Sequence, residues 1–159
     1  MLRAATAASD PQSSPRPLDP SDEWDEKVLR EAQLLERWTG IKATLNHATN
    51  GTCAISDFTI EVDRKQLDDL FGDFTGAKYQ TAIFFVLAHE FGHLCQFKVY
   101  GEDHAMAMPS IEAEAHADYL SGAWLGLRLA QGEERLSEDV FAAGLRLKSD
   151  TEDLSLIHI

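Results

Sequence analysis

The chain has 159 residues, 44% of them apolar, and 27 acids against 14 bases give a net charge of −13. That length suits one domain with a modest core. The acidity argues against nucleic acid and anionic membrane surfaces as partners, and no apolar run approaches the roughly 18 residues needed to span a membrane.

Residues 1–22 hold four of the five prolines among Ser, Ala and Thr. That composition predicts a disordered lead. No apolar segment follows Arg3, so the lead does not read as a signal peptide. With no spanning segment either, the cytoplasm is the default compartment. Trp24, Val28, Ala32, Leu35 and Trp38 recur at helical spacing with Glu and Arg between them, which predicts an amphipathic helix over 24–38. Ser21 or Asp22 caps its start and Gly40 ends it. Its aromatic stripe reads as core. Asn50-Gly51 marks a turn within 46–52. Asn50-Gly51-Thr52 also fits the glycosylation pattern, but the turn accounts for it. Phe58, Ile60 and Val62 alternate with Thr59, Glu61 and Asp63, the pattern of a half-buried strand. Asp63 caps a short helix over 64–71, ended by Gly72.

Residues 81–100, TAIFFVLAHEFGHLCQFKVY, carry His89-Glu90-Phe91-Gly92-His93 inside an apolar run. On a helix His89 and His93 are one turn apart on one face, so both imidazoles can reach one metal ion. Glu90 is rotated by about 100°. It can flank the ion without filling a ligand position, where a base for an activated water belongs. An HExxH pattern should arise by chance in well under about one per cent of chains this long, which outweighs the plainer reading of a core helix with hydrogen-bonded histidines.

A catalytic zinc site has three protein ligands plus a water. Residues 102–109 read as a connecting loop with His104 as a surface side chain. Pro109-Ser110 opens a helix, with Ser110 as its cap and Gly132 closing it. In that helix Glu114 and Asp118 share a face. Glu114 can be the third ligand, and Asp118 can accept the ring N–H of a ligand histidine and hold its orientation. Glu112 lies about 240° from Asp118 and has a sufficient role beside the helix dipole. His116 falls on another face and reads as structural or solvated. Ser137 caps a last helix over 138–148. Cys53 and Cys95 leave the redox compartment open, with Cys95 turned from the metal face as a free thiol. Residues 154–159, LSLIHI, match one reading frame of a transposon end used in DNA library preparation. They read as a non-native tail on a C-terminally truncated domain.

The segments 87–96, LAHEFGHLCQ, and 114–124, EAHADYLSGAW, resemble the two motifs of the bacterial neutral zinc metallopeptidase family, roughly AHExGHxxQ and ELQADCxAGxW. Glu114, Ala117, Asp118, Gly122 and Trp124 match the second. Residues 58–74 are similar to the strand and short helix before that family's catalytic helix. Three features depart from its pattern: Tyr119 in place of a frequent Cys, a spacing of only 20 residues between His93 and Glu114, and no His-Gly-Ser segment farther on.

The resemblance implies an α+β, mainly helical, zincin-like domain over 23–153, with a small sheet packed beside the catalytic helix. It implies a gluzincin-type site with Zn2+ on His89, His93 and Glu114, Glu90 as general base, and a peptide or protein substrate. It also implies that the 58–62 strand pairs with extended substrate through main-chain hydrogen bonds. Tyr79, Tyr100, His104 or a group farther along the chain are the candidates for stabilising an oxyanion. Two other readings stand beside this one: a non-catalytic zinc-binding or protein-interaction domain, and zinc-dependent hydrolysis of a non-peptide bond.

Overall fold

The computed structural model describes residues 2–3, 16–55 and 57–132. Its elements are β1 (Leu2–Arg3), β2 (Arg16–Pro17), α1 (Glu23–Thr39), β3 (Thr44–His47), β4 (Cys53–Ile55), β5 (Thr59–Val62), α2 (Arg64–Phe71), α3 (Ala77–Tyr100), α4 (Glu102–Ala107) and α5 (Ser110–Ala130). The fold is therefore α+β and mainly helical, with one small sheet. The helix expected over 138–148 and the tail at 154–159 lie outside the described residues.

Local chemistry sets the helix boundaries. Asp22 Oδ1 accepts from the Trp24 and Asp25 amides at 2.9 and 3.1 Å, and Gly40 takes φ 66° to end α1. Asp63 Oδ1 accepts from the Gln66 amide at 3.1 Å and starts α2. The other Asp63 oxygen accepts from the Gly51 amide at 3.1 Å, and the Asp63 amide donates to the Thr52 hydroxyl at 3.0 Å. One buried carboxylate thus caps a helix and closes the Asn50-Gly51 turn.

Two expected boundaries change. The segment after Gly101 is a helix, α4, because Glu102 and Asp103 favour its N-terminus and Ala105 is buried beneath it. Pro109 occupies the cap position of α5 without a side-chain bond, and Ser110 is already helical.

The sheet order is β1-β4-β5-β3-β2. β5 pairs antiparallel with β4 and parallel with β3. It is a central strand, so the expectation that it pairs with extended substrate fails: both of its hydrogen-bonding edges are occupied. Alternation told correctly that Ile60 and Val62 face the core, but it carries no information on strand order.

The lead expected to be disordered over 1–22 contributes to this sheet. Leu2 and Arg3 pair with Ala54 and Ile55, and Arg16 and Pro17 with His47 and Asn46. Leu18 is core, and the Asp19 amide donates to the buried Asp25 carboxylate at 2.7 Å. Pro17 is tolerated because β2 is an edge strand, where a missing N–H costs no ladder bond. Residues 16–19 are therefore tied into the fold ahead of α1.

α3 is the central helix, packed by α1 on one side and α5 on another. Val28, Ala32 and Leu35 of α1 join Phe84, Leu87, Phe91 and Leu94 of α3 in one core with Ile60 and Val62. Trp38 packs on Trp124, their ring centroids 5.3 Å apart. The aromatic stripe predicted as core lies at its margin instead: Trp24 is partly buried and Trp38 exposed. Among the described residues no helix is long and apolar enough to cross a membrane.

A buried charge cluster ties α1 to α5. Glu31 accepts from Trp124 Nε1 at 2.7 Å and from Arg128 at 2.6 Å. Both charges are nearly sealed from solvent. Removing one partner would leave the other buried and uncompensated, which costs about 3–5 kcal/mol. Glu31→Ala should therefore lower the unfolding free energy by roughly that amount in a urea titration. Lys27→Ala, which breaks only the exposed pair with Glu23, should cost less than about 1 kcal/mol.

Candidate metal centre

The site lies where α3 crosses α5. A Cβ built on Gly92 would sit 2.7 Å from the Ala117 Cα. The two backbones therefore nearly touch, as only glycine at 92 permits. Around that contact Gln96 meets Ala113 and His89 meets Asp118, so the helices run antiparallel. His89 and His93 flank Gly92 at −3 and +1. Glu114 and Asp118 flank Ala117 at the same offsets. The crossing therefore sets four polar side chains against one another inside an apolar interface.

His89 Nε2 lies 3.1 Å from His93 Nε2 and 3.0 Å from Glu114 Oε2, and His93 Nε2 lies 3.5 Å from Glu114 Oε1. Ligand atoms about 2.0–2.1 Å from one tetrahedral ion stand about 3.3–3.4 Å apart. His89, His93 and Glu114 thus offer three donor atoms at the spacing of a coordination sphere. They are 3%, 0% and 6% exposed.

The hydrogen bonds behind the two histidines decide their tautomers. Asp118 Oδ1 lies 2.9 Å from His89 Nδ1, and a carboxylate only accepts. Nδ1 of His89 therefore carries the proton. Gln96 Oε1 lies 3.0 Å from His93 Nδ1, while Gln96 Nε2 donates to the Ala113 carbonyl at 2.6 Å. The amide oxygen faces the ring, so His93 Nδ1 is an N–H as well. In the neutral rings both Nε2 lone pairs then point at each other and at a carboxylate.

Burial would raise the Glu114 carboxyl, but protonated imidazoles at His89 and His93 would hydrogen-bond it, outweigh the burial and hold the group well below the usual carboxylate range. Three acceptors converge with too few protons between them. Protonating both rings would set two cations 3.1 Å apart. One divalent cation satisfies all three acceptors at once.

Glu90 is 3% exposed, and its Oε2 has no hydrogen-bond partner among the described residues. A buried, unpartnered carboxylate oxygen is costly unless something outside the protein pairs with it. Its position one residue after His89 fits a water beside a bound ion.

Glu112 is exposed on the outer face of α5. Tyr79 is ten residues before His89, about 15 Å along the helix, and its hydroxyl accepts from Trp24 and donates to Asp68. Burial and the Asp68 bond push the Tyr79 phenol up. It is not the oxyanion donor. Tyr100 stacks between His104 and His116, with ring centroids 5.6 and 6.2 Å away, and both histidines are exposed. Cys95 is half-buried and free, and burial raises its thiol.

Gln96 is the site residue that the spacing argument passed over. Its place three residues after His93, one turn on, was the available signal. Comparison with protein-family models, curated proteins and solved structures finds no match for this chain.

Two substitutions test this geometry. Gly92→Ala must push α5 away from α3, since its new methyl meets backbone. The expected result is a loss of about 1–3 kcal/mol in stability and roughly 10–100-fold weaker zinc binding in a competitive chelator titration. Unchanged affinity would mean that the ligands do not depend on the crossing.

The second compares two acids. Glu114→Ala should lose most zinc binding. Glu112→Ala should keep it and cost at most about 1 kcal/mol, through the helix dipole. Zinc content of the two purified variants, measured side by side, decides the ligand.

Proposed function

We propose that this domain is a zinc-dependent peptidase of zincin-like architecture, with His89, His93 and Glu114 as ligands and Glu90 as general base. The observation that carries the reading is the unpartnered, buried Glu90 oxygen, one residue along α3 from His89, together with three convergent acceptor groups. A site that only held a metal would have no use for a second buried carboxylate placed off the ligand set. The preference for zinc comes from the donor chemistry, two imidazoles and a carboxylate in a tetrahedral spacing. The peptide substrate comes from the resemblance of residues 87–96 and 114–124 to the neutral zinc metallopeptidase motifs.

Bound there, zinc would lower the pKa of a coordinated water toward neutral and polarise a scissile carbonyl. Glu90 Oε2 accepts the proton of the attacking water and returns it to the leaving amine. Asp118 and Gln96 hold the Nδ1 protons of the two histidines and so keep both Nε2 atoms available as ligands. The burial of His89, His93 and Glu114 excludes bulk water and strengthens each electrostatic contact inside.

The depth of burial of the three ligands supports a second reading, a non-catalytic metal-binding domain. The two readings part at Glu90. Glu90→Gln should keep zinc near about one per chain and lose about 10²–10⁴-fold in peptide cleavage. Metal analysis with a peptide-cleavage assay, with and without chelator, reads both. Zinc without cleavage in the parent chain would favour the binding domain, and loss of zinc in Glu90→Gln would make Glu90 a ligand.

A further inference from the structure

We propose that Gln96 is a positioning residue for the metal centre: its amide, aimed by the Ala113 carbonyl, keeps the ring proton of His93 on Nδ1 and presents the Nε2 lone pair to the ion. This role rests on the metal-centre reading above.

A side-chain amide has one accepting end and one donating end, and either can be turned toward a neighbour. At Gln96 a backbone group makes the choice. The Ala113 carbonyl can only accept, and it lies 2.6 Å from Gln96 Nε2. Turning the amide over would set two oxygens against each other there and two donors against each other at an Nδ1–H of His93. The orientation with Oε1 3.0 Å from His93 Nδ1 is therefore the one that satisfies every group. Gln96 is 2% exposed and His93 0%, so no solvent water stands ready to replace it.

The two ligand histidines are supported differently. Asp118 accepts with either oxygen and needs no aiming. Gln96 works through its orientation alone, and that orientation depends on α5. Ala113 immediately precedes Glu114, so one amide joins the tautomer of the second ligand to the placement of the third. The amide is also neutral. It orients His93 without adding a further negative charge beside Glu90, Glu114 and Asp118.

The test uses the full chain, labelled with 15N-histidine and freed of metal, at about pH 8, above the ordinary imidazole pKa of about 6.5. In the parent, imidazole nitrogen shifts should show His93 with Nδ1 protonated and Nε2 bare. Gln96→Met keeps the side-chain length and removes the amide. His93 should then lose its single tautomer while His89 keeps its own, and zinc affinity in a chelator titration should fall roughly 10–100-fold. Gln96→Glu retains an acceptor facing Nδ1 but sets its second oxygen against the Ala113 carbonyl, so it should keep the parent tautomer without restoring the parent affinity.

An unchanged tautomer in Gln96→Met would overturn the proposal, whether affinity held or fell. A fall with the parent tautomer intact would leave Gln96 a packing role only. Should Gln96→Met fail to fold, a changed His93 tautomer in folded Gln96→Glu would overturn it equally. No zinc bound by the parent would instead bring down the metal-centre reading, and this role with it.

Discussion

The contact between Gly92 and Ala117 is the constraint on which the site depends. Two helices ordinarily pack with axes about 8–10 Å apart, set by the side chains between them. Here the residues at the crossing are a glycine and a fully buried alanine, and an added Cβ would meet backbone. That closeness lets short and medium side chains on opposite helices reach one point. His89, His93 and Glu114 could not converge to 3.0–3.5 Å across an interface of larger residues. The polar groups at −3 and +1 from each contact residue form the site, and the apolar residues around them keep it dry.

Close approach alone does not fix how α5 is rotated about its axis. The Glu31 cluster supplies that. Trp124 and Arg128 are one turn apart on α5 and both bond one carboxylate on α1. Trp124 lies seven residues after Ala117, close to two full turns, so the α1 contact and the α3 contact share a side of α5. Turning the helix to bring Glu114 away from the histidines would pull Arg128 out of its buried ion pair with Glu31. Replacing such a pair by apolar residues is often neutral for stability, so its use here is better understood as orientation than as strength. The free edges of the sheet are also short. β5 is enclosed by β3 and β4, and the outer strands are the short β1 and β2.

The elements written by short-range rules were legible in the sequence. Helix period placed His89 with His93 and Glu114 with Asp118, and it set Glu112 apart. Carboxylates at Asp22 and Asp63 and glycine at 40 marked helix ends, because a cap bonds amides only two or three residues away. Strand alternation named Ile60 and Val62 as core. Each of these depends on geometry within about one turn or one strand, which the order of residues determines by itself.

What the sequence left open involves partners far apart in the chain. Trp124 and Arg128 bond Glu31 across 93 and 97 positions, and nothing local in the acidic face of α1 sets Glu31 apart from its exposed neighbours. Gln96 follows His93 by one turn, but its purpose is visible only once the Ala113 carbonyl stands opposite it. The place of β5 in the middle of the sheet, and of the Pro-rich residues 16–18 within the fold, follows from pairing with strands distant in sequence. The sequence by itself determined which side chains share a helix face, since that is set by the 100° turn per residue. Only the tertiary structure decided which faces meet, because that depends on how closely two backbones can approach, and at Gly92 and Ala117 they approach closely enough to build a site.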